Sequence, residues 1–141
     1  MFLERWVQSF EERMLALSRQ LWRADPRMQL REEVQHVSHE LRERRLALNS
    51  CQVEIDALRK RINSNQVAVA RLTAQIGTAL DRVAADEAWR DALDLDRTHQ
   101  ELADDQGRLP KQEKLAETIE LQLRFLTRRL ARLQDQLYPS A

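Results

Sequence analysis

Between Val34 and Val83, core-type positions follow one another in alternating steps of three and four residues without a break: Val34, Val37, Leu41, Arg44, Leu48, Cys51, Ile55, Leu58, Ile62, Asn65, Val69, Leu72, Ile76, Ala79 and Val83. Only Arg44 and Asn65 are not apolar. A stripe that recurs about every 3.5 residues through seven repeats is a coiled-coil seam, and a strand, with its period of two, cannot produce it. A helix with one narrow apolar stripe cannot bury that stripe alone, so the seam demands a partner.

The same chain supplies one. Leu95, Leu102, Leu109, Ala116, Leu123, Leu130 and Leu137 recur every seven residues, with Thr98, Asp105, Gln112, Ile119, Leu126 and Leu133 between them. This second seam is apolar from Ile119 onward and more polar before it. Only two glycines and three prolines punctuate the whole sequence, so there are few places to turn. The fold class expected is all-α: a short N-terminal amphipathic helix (residues 1–24) followed by a long antiparallel two-helix coiled-coil hairpin (residues 25–141). Its arms run over about 26–83 and 86–137 and fold back near Ala84-Ala85. The register places Leu41 opposite Leu126, Leu48 opposite Ile119 and Ile62 opposite Asp105. Gly107 and Pro110 are expected to interrupt or kink the second arm, forming a joint near 107–110, because proline removes a backbone hydrogen bond and crowds the preceding turn.

Ahead of the hairpin, Leu3, Val7, Phe10, Met14, Leu17 and Leu21 step by four and three, and Phe2 and Trp6 widen the face. At about 100° per residue this stripe covers roughly 140° of the helix. Asp25-Pro26 then ends one helix near Ala24 and starts the next, with Asp25 as cap and Pro26 at the first helical position. The apolar face of the first helix has two candidate partners. It can lie in a bilayer interface, or it can pack on the hairpin or a neighbouring subunit.

Charge narrows the function. The 23 basic and 23 acidic residues cancel, so there is no general attraction to nucleic acid or anionic lipid. Basic clusters such as Arg42-Arg44-Arg45 are interleaved with acids and lack stacking aromatics, which argues against a nucleic-acid partner. One cysteine, Cys51, on a core position, precludes an internal disulfide and fits a reducing compartment. Charges at Glu4, Arg5, Glu11, Glu12 and Arg13 interrupt any secretory apolar segment, and no stretch is apolar enough to span a bilayer. No phosphate-cradling glycine loop or nucleophile–histidine motif is present, and His36 and His39 beside Glu40 and Glu43 are too few converging ligands for zinc. The expectation is no catalysis, no cofactor and no metal.

The layout resembles the phage shock protein A family, which includes the vesicle-inducing protein of plastids and belongs to the ESCRT-III superfamily. The resemblance is carried by the opening Met1-Phe2-Leu3-Glu4-Arg5, the Asp25-Pro26 junction, the ungapped spacing of Arg31, Val34, Gln35, Leu41, Glu43, Arg45, Glu54, Leu58, Arg61 and Ile62, and the segment Asp86-Glu87-Ala88-Trp89-Arg90-Asp91-Ala92-Leu93. It covers roughly residues 1–137. Family members continue with further helices that lock subunits into polymers, whereas this sequence ends at Ala141; the Gly107/Pro110 break is also outside the family pattern. The resemblance implies a cytoplasmic protein, peripheral at the inner face of the cell membrane, that self-assembles to protect or remodel lipid. Phe2, Leu3, Trp6, Val7, Phe10, Met14, Leu17 and Leu21 are the membrane-binding residues on this reading.

Self-assembly has its own motive in the residues. Leu46, Val53, Val67, Leu80, Leu93, Leu115 and Leu121 fall outside both seams, and a lone hairpin leaves them wet. From Asp86 to Asp105 eight acids face only two arginines, while from Arg108 to Arg132 seven bases face three acids. Neighbouring hairpins are therefore expected to stagger, with Asp91, Asp94 and Asp96 of one beside Arg42, Arg45, Arg124, Arg128 and Arg129 of another. The competing reading is a soluble coiled-coil adaptor that regulates an ATPase or an export system without touching membrane.

Overall fold

A computed structural model of the chain describes residues 2–21 and 25–139, with side chains described for 2–17 and 25–139. All the elements it describes are helices: α1 (Phe2–Leu21), α2 (Pro26–Asp81) and α3 (Ala85–Leu137). The expected end of the first helix near Ala24 and the side chain of Leu21 lie outside the described residues. The start of α2 follows from its sequence. The Asp25 carboxylate accepts the Arg27 N–H at 3.1 Å and the Asp25 carbonyl accepts the Met28 N–H at 3.0 Å, so two donors left over at the helix start are satisfied.

Between α2 and α3 the chain reverses in three residues. Val83 has a positive φ of 56°. Its N–H is donated to the Leu80 carbonyl at 3.0 Å, and the Ala84 N–H reaches the Ala79 carbonyl at 2.8 Å. These are the two bonds of a Schellman cap, which closes a helix on a left-handed residue. The arms end at Asp81 and begin again at Ala85, slightly off the expected 83 and 86, because this cap occupies Arg82, Val83 and Ala84. Val83, the last position of the predicted stripe, is accordingly exposed. Every other position of both predicted stripes is buried or half-buried.

The chain divides into two compact units, Met1–Ser50 with Ala116–Ala141, and Cys51–Leu115. In the first, α1, the start of α2 and the end of α3 enclose a core of Phe10, Val37, Leu41, Leu126 and Leu133, with Trp6, Met14, Leu30, Val34, Leu123 and Leu130 packed against it. In the second, the α2 and α3 stretches run antiparallel. Glu54 pairs with Arg108 at 2.8 Å, Arg59 with Glu113 at 3.4 Å and Arg61 with Asp105 at 3.0 Å. The predicted level put Ile62 opposite Asp105; its neighbour Arg61 is the residue that bonds the carboxylate. The Cys51 thiol, buried on the seam, donates to the Gln112 carbonyl at 3.2 Å.

Gly107 and Pro110 do not end the second arm. α3 runs through Gly107 and Pro110 without interruption. A proline inside a helix frees one carbonyl and crowds one turn, but side chains on both sides of it still pack or bond across to α2, Asp105 with Arg61 and Gln112 with Cys51. Those cross-helix contacts hold the helical path that propensity alone would abandon.

Candidate functional site

The region where α1 meets the hairpin, inside the first unit, gathers most of the unusual chemistry. Its centre is Phe10, which is 6 % exposed. The Phe10 ring stacks on Trp6 at 5.7 Å and on His36 at 6.2 Å, and meets Phe125 of α3 edge-on at 6.0 Å. Trp6 also meets Phe125 edge-on at 6.0 Å, and the Arg44 guanidinium lies 5.4 Å from the centroid of the Trp6 ring. Aromatic pairs in these geometries add about 0.5–1.5 kcal/mol each beyond the area they bury. At the edge of the clasp Arg13 reaches Glu40 at 3.7 Å.

The same unit also holds buried polar atoms that lack partners. His36 Nε2, Arg44 Nε and both side-chain polar atoms of Gln122 are buried without a hydrogen-bond partner among the described residues. A buried polar group left unpaired costs about 1–3 kcal/mol, comparable with the roughly 1.5–3 kcal/mol gained by burying one large apolar side chain. His36 and Arg44 touch α1 directly, through Phe10 and Trp6.

The apolar face of α1 is only partly consumed by it. Leu3, Trp6, Val7, Met14 and Leu17 are half-buried and Phe2 is 56 % exposed, while Leu15, outside this face, is 58 % exposed. The stripe predicted to enter lipid is therefore turned toward the hairpin at Phe10 and open at its edges. A groove of about 850 Å³ runs along this edge, lined by Phe10, Met14 and Leu15 of α1, by Leu121 and Phe125 of α3, and by Arg124, Arg128, Arg129 and Arg132 of α3, with Glu11 and Glu33 at its walls.

The residues expected to drive assembly are divided between the two units. Arg42, Arg45, Arg124, Arg128 and Arg129 lie in the first, Asp91, Asp94 and Asp96 in the second. Some already have partners. Arg129 reaches Glu33 at 3.7 Å, Asp94 accepts from Arg97 at 3.2 Å and Asp96 from Gln100 at 3.4 Å. Asp91 lines a shallow polar groove with Arg71, Arg82, Glu87 and Arg90. Leu46, Val53, Val67, Leu80, Leu93, Leu115 and Leu121, the seven apolar residues outside both stripes, are all exposed.

His39 bonds Glu43 at 3.0 Å, whereas the His36 ring faces Phe10, so the two histidines serve different surroundings. Among the described residues no three histidine, cysteine or acidic side chains converge as a metal site would need. None of the described helices is long and apolar enough to cross a membrane.

Reasoning from the sequence missed Phe125 as a contact of α1 and Gln122 as a buried residue, because a two-helix seam predicts nothing about positions outside it. Phe125 carried a signal: it is one of two aromatics in α3 and lies off the seam. In comparisons with known proteins, the chain matches no family model, no curated protein and no solved structure.

Proposed function

We propose that this chain is a non-enzymatic, ESCRT-III-like peripheral membrane protein: a coiled-coil hairpin that binds lipid through α1 at the inner face of the cell membrane and assembles with copies of itself to protect or remodel the bilayer. The observation that carries the reading is the state of α1. Its apolar face is not fully covered, since Phe2 at its edge is exposed, and His36 and Arg44, which pack on Phe10 and Trp6, each hold a buried polar atom without a hydrogen-bond partner among the described residues. A bilayer interface offers α1 the same apolar burial and returns those polar atoms to water. In this mechanism α1 rests on the hairpin in solution and exchanges the Phe10 clasp for lipid at the membrane. Leu46, Val53, Val67, Leu80, Leu93 and Leu115, exposed and outside the stripes, then serve contact between copies.

A soluble adaptor for an ATPase or export system is the rival, and the burial of Phe10 inside the protein favours it. Sedimentation with vesicles containing phosphatidylglycerol separates the two. The wild type is expected to pellet, and Trp6→Glu with Phe10→Glu to remain in the supernatant with its helical circular dichroism retained. Because that pair also contributes to the core, Phe2→Glu, at a position 56 % exposed, is the companion variant and is expected to weaken pelleting severalfold. Wild-type protein that stays in the supernatant, or double-variant protein that pellets as well as wild type, overturns the membrane reading.

A further inference from the structure

The groove between α1 and α3 has a polarity along its length. On α3, Leu121, Phe125, Arg128 and Arg132 step by four, three and four and so share one face of the helix. That face passes from apolar to cationic over three turns. Arg124 stands beside it, and Met14 and Leu15 of α1 extend the apolar part. Leu15, Leu121 and Phe125 are 58 %, 43 % and 40 % exposed, so the apolar part is open to a ligand rather than filled by the fold.

The cationic part is also uncommitted. Arg129 is engaged by Glu33 at 3.7 Å, but Arg124, Arg128 and Arg132 make no ion pair or hydrogen bond with any described residue. Four arginines against two glutamates leave the groove a net positive charge. Guanidinium groups one turn apart present paired donors suited to a phosphate's oxygens. About 850 Å³ lies within the range of sites that take small organic ligands. A purely polar anion would leave the apolar half unused, and a neutral apolar molecule would leave three arginines unpaired.

We infer that this groove is a binding site for one anionic phospholipid, its phosphate held by Arg124, Arg128 and Arg132 and its acyl chain laid over Leu15, Leu121 and Phe125 while α1 remains docked. The inference rests on the membrane reading above and adds a discrete site to it, separate from insertion of α1 into the bilayer. Capture of one headgroup beside the closed clasp would hold the protein at an anionic surface before α1 leaves the hairpin.

The test uses the full chain and isothermal titration with dihexanoyl phosphatidylglycerol below its micelle concentration, alongside dihexanoyl phosphatidylcholine and inorganic phosphate. Expected is one lipid per chain, with phosphatidylcholine weaker because the arginines repel its choline ammonium, and inorganic phosphate weaker by about tenfold or more because it forfeits the apolar contact. Arg124→Gln with Arg128→Gln and Arg132→Gln, three exposed positions, should weaken phosphatidylglycerol by a similar factor while leaving the thermal melt unchanged. Leu15→Gln should weaken it independently. Equal binding of phosphatidylcholine, equal binding of phosphate, or full affinity in the triple arginine variant each overturns the site. Wild-type protein that pellets with vesicles but takes up no short-chain lipid overturns the site alone; failure in both assays overturns the membrane reading with it.

Discussion

Replacing Val83 by glycine should make the protein more stable. Val83 is the left-handed residue of the cap that ends α2, with φ at 56°. For an L-residue this conformation costs about 1–2 kcal/mol, and a β-branched side chain is among the least suited to it. Its side chain is 87 % exposed, so removing it forfeits almost no buried surface. Glycine relieves the backbone cost but adds freedom to the unfolded chain worth roughly 0.5–1 kcal/mol. The balance is a gain of about 0.5–1 kcal/mol, or roughly 2–4 °C in melting temperature for a chain of this size. Thermal and urea unfolding followed by far-ultraviolet circular dichroism, at fixed protein concentration, measure it. Val83→Ala is the control: it trims the same exposed side chain but keeps the Cβ, so it should gain little. Val83→Gly no more stable than Val83→Ala would refute the reasoning, because the gain is attributed wholly to the left-handed backbone.

Arg61→Ala should destabilise by about 1–3 kcal/mol, reduced by the partial exposure of Arg61, because it strips the partner from the buried Asp105 carboxylate; Asp105→Leu should be neutral or stabilising in the same urea titration. An Arg61→Ala protein more stable than Asp105→Leu would contradict this. Pro110→Ala should stabilise α3 by about 1–3 kcal/mol, and hydrogen exchange in the wild type should be faster around Asp105–Pro110 than around Leu126; equal protection of the two stretches would show that the proline is fully compensated. Changing Asp91, Asp94 and Asp96 together to lysine should disrupt or re-register self-assembly, with the wild-type assembly loosening at high salt; light scattering that gives a strict monomer at tens of micromolar, at low salt and with lipid present, counts against assembly altogether.

The two stripes could be read residue by residue because each covered position depends only on the period of one helix and the presence of one neighbour. Leu58 and Leu126, both fully buried, needed no further information. Val83 shows where periodicity ends: a repeat says which face is apolar, not where the backbone caps. The clasp was only half legible. The stripe on α1 announces that Phe10 seeks apolar company, but nothing in a single helix says whether that company is Phe125, another copy or lipid. His36 was opaque for the same reason, since its ring packs on Phe10 of another helix. Pro110 shows the converse limit: a residue that disfavours helix lies inside α3, where cross-helix bonds on either side of it were not visible in the local sequence.

A seven-residue repeat has a hidden ambiguity, because sliding one helix past the other by a whole repeat restores nearly every apolar contact. During folding such slipped pairings compete with the native one as kinetic traps, and local hydrophobicity cannot tell them apart. The bond between Arg61 and Asp105 breaks this degeneracy. Slide α3 by one repeat in one direction and Asp105 lies level with Glu54, a like charge; slide it in the other and it lies level with Ala68, which offers no partner. A buried charged residue in a seam selects alignment in this way, at some cost in stability. Asp105 thereby acts as an error check on assembly of the hairpin. A variant such as Asp105→Leu that gains equilibrium stability should then refold more slowly, with additional phases as misaligned chains unzip and try again.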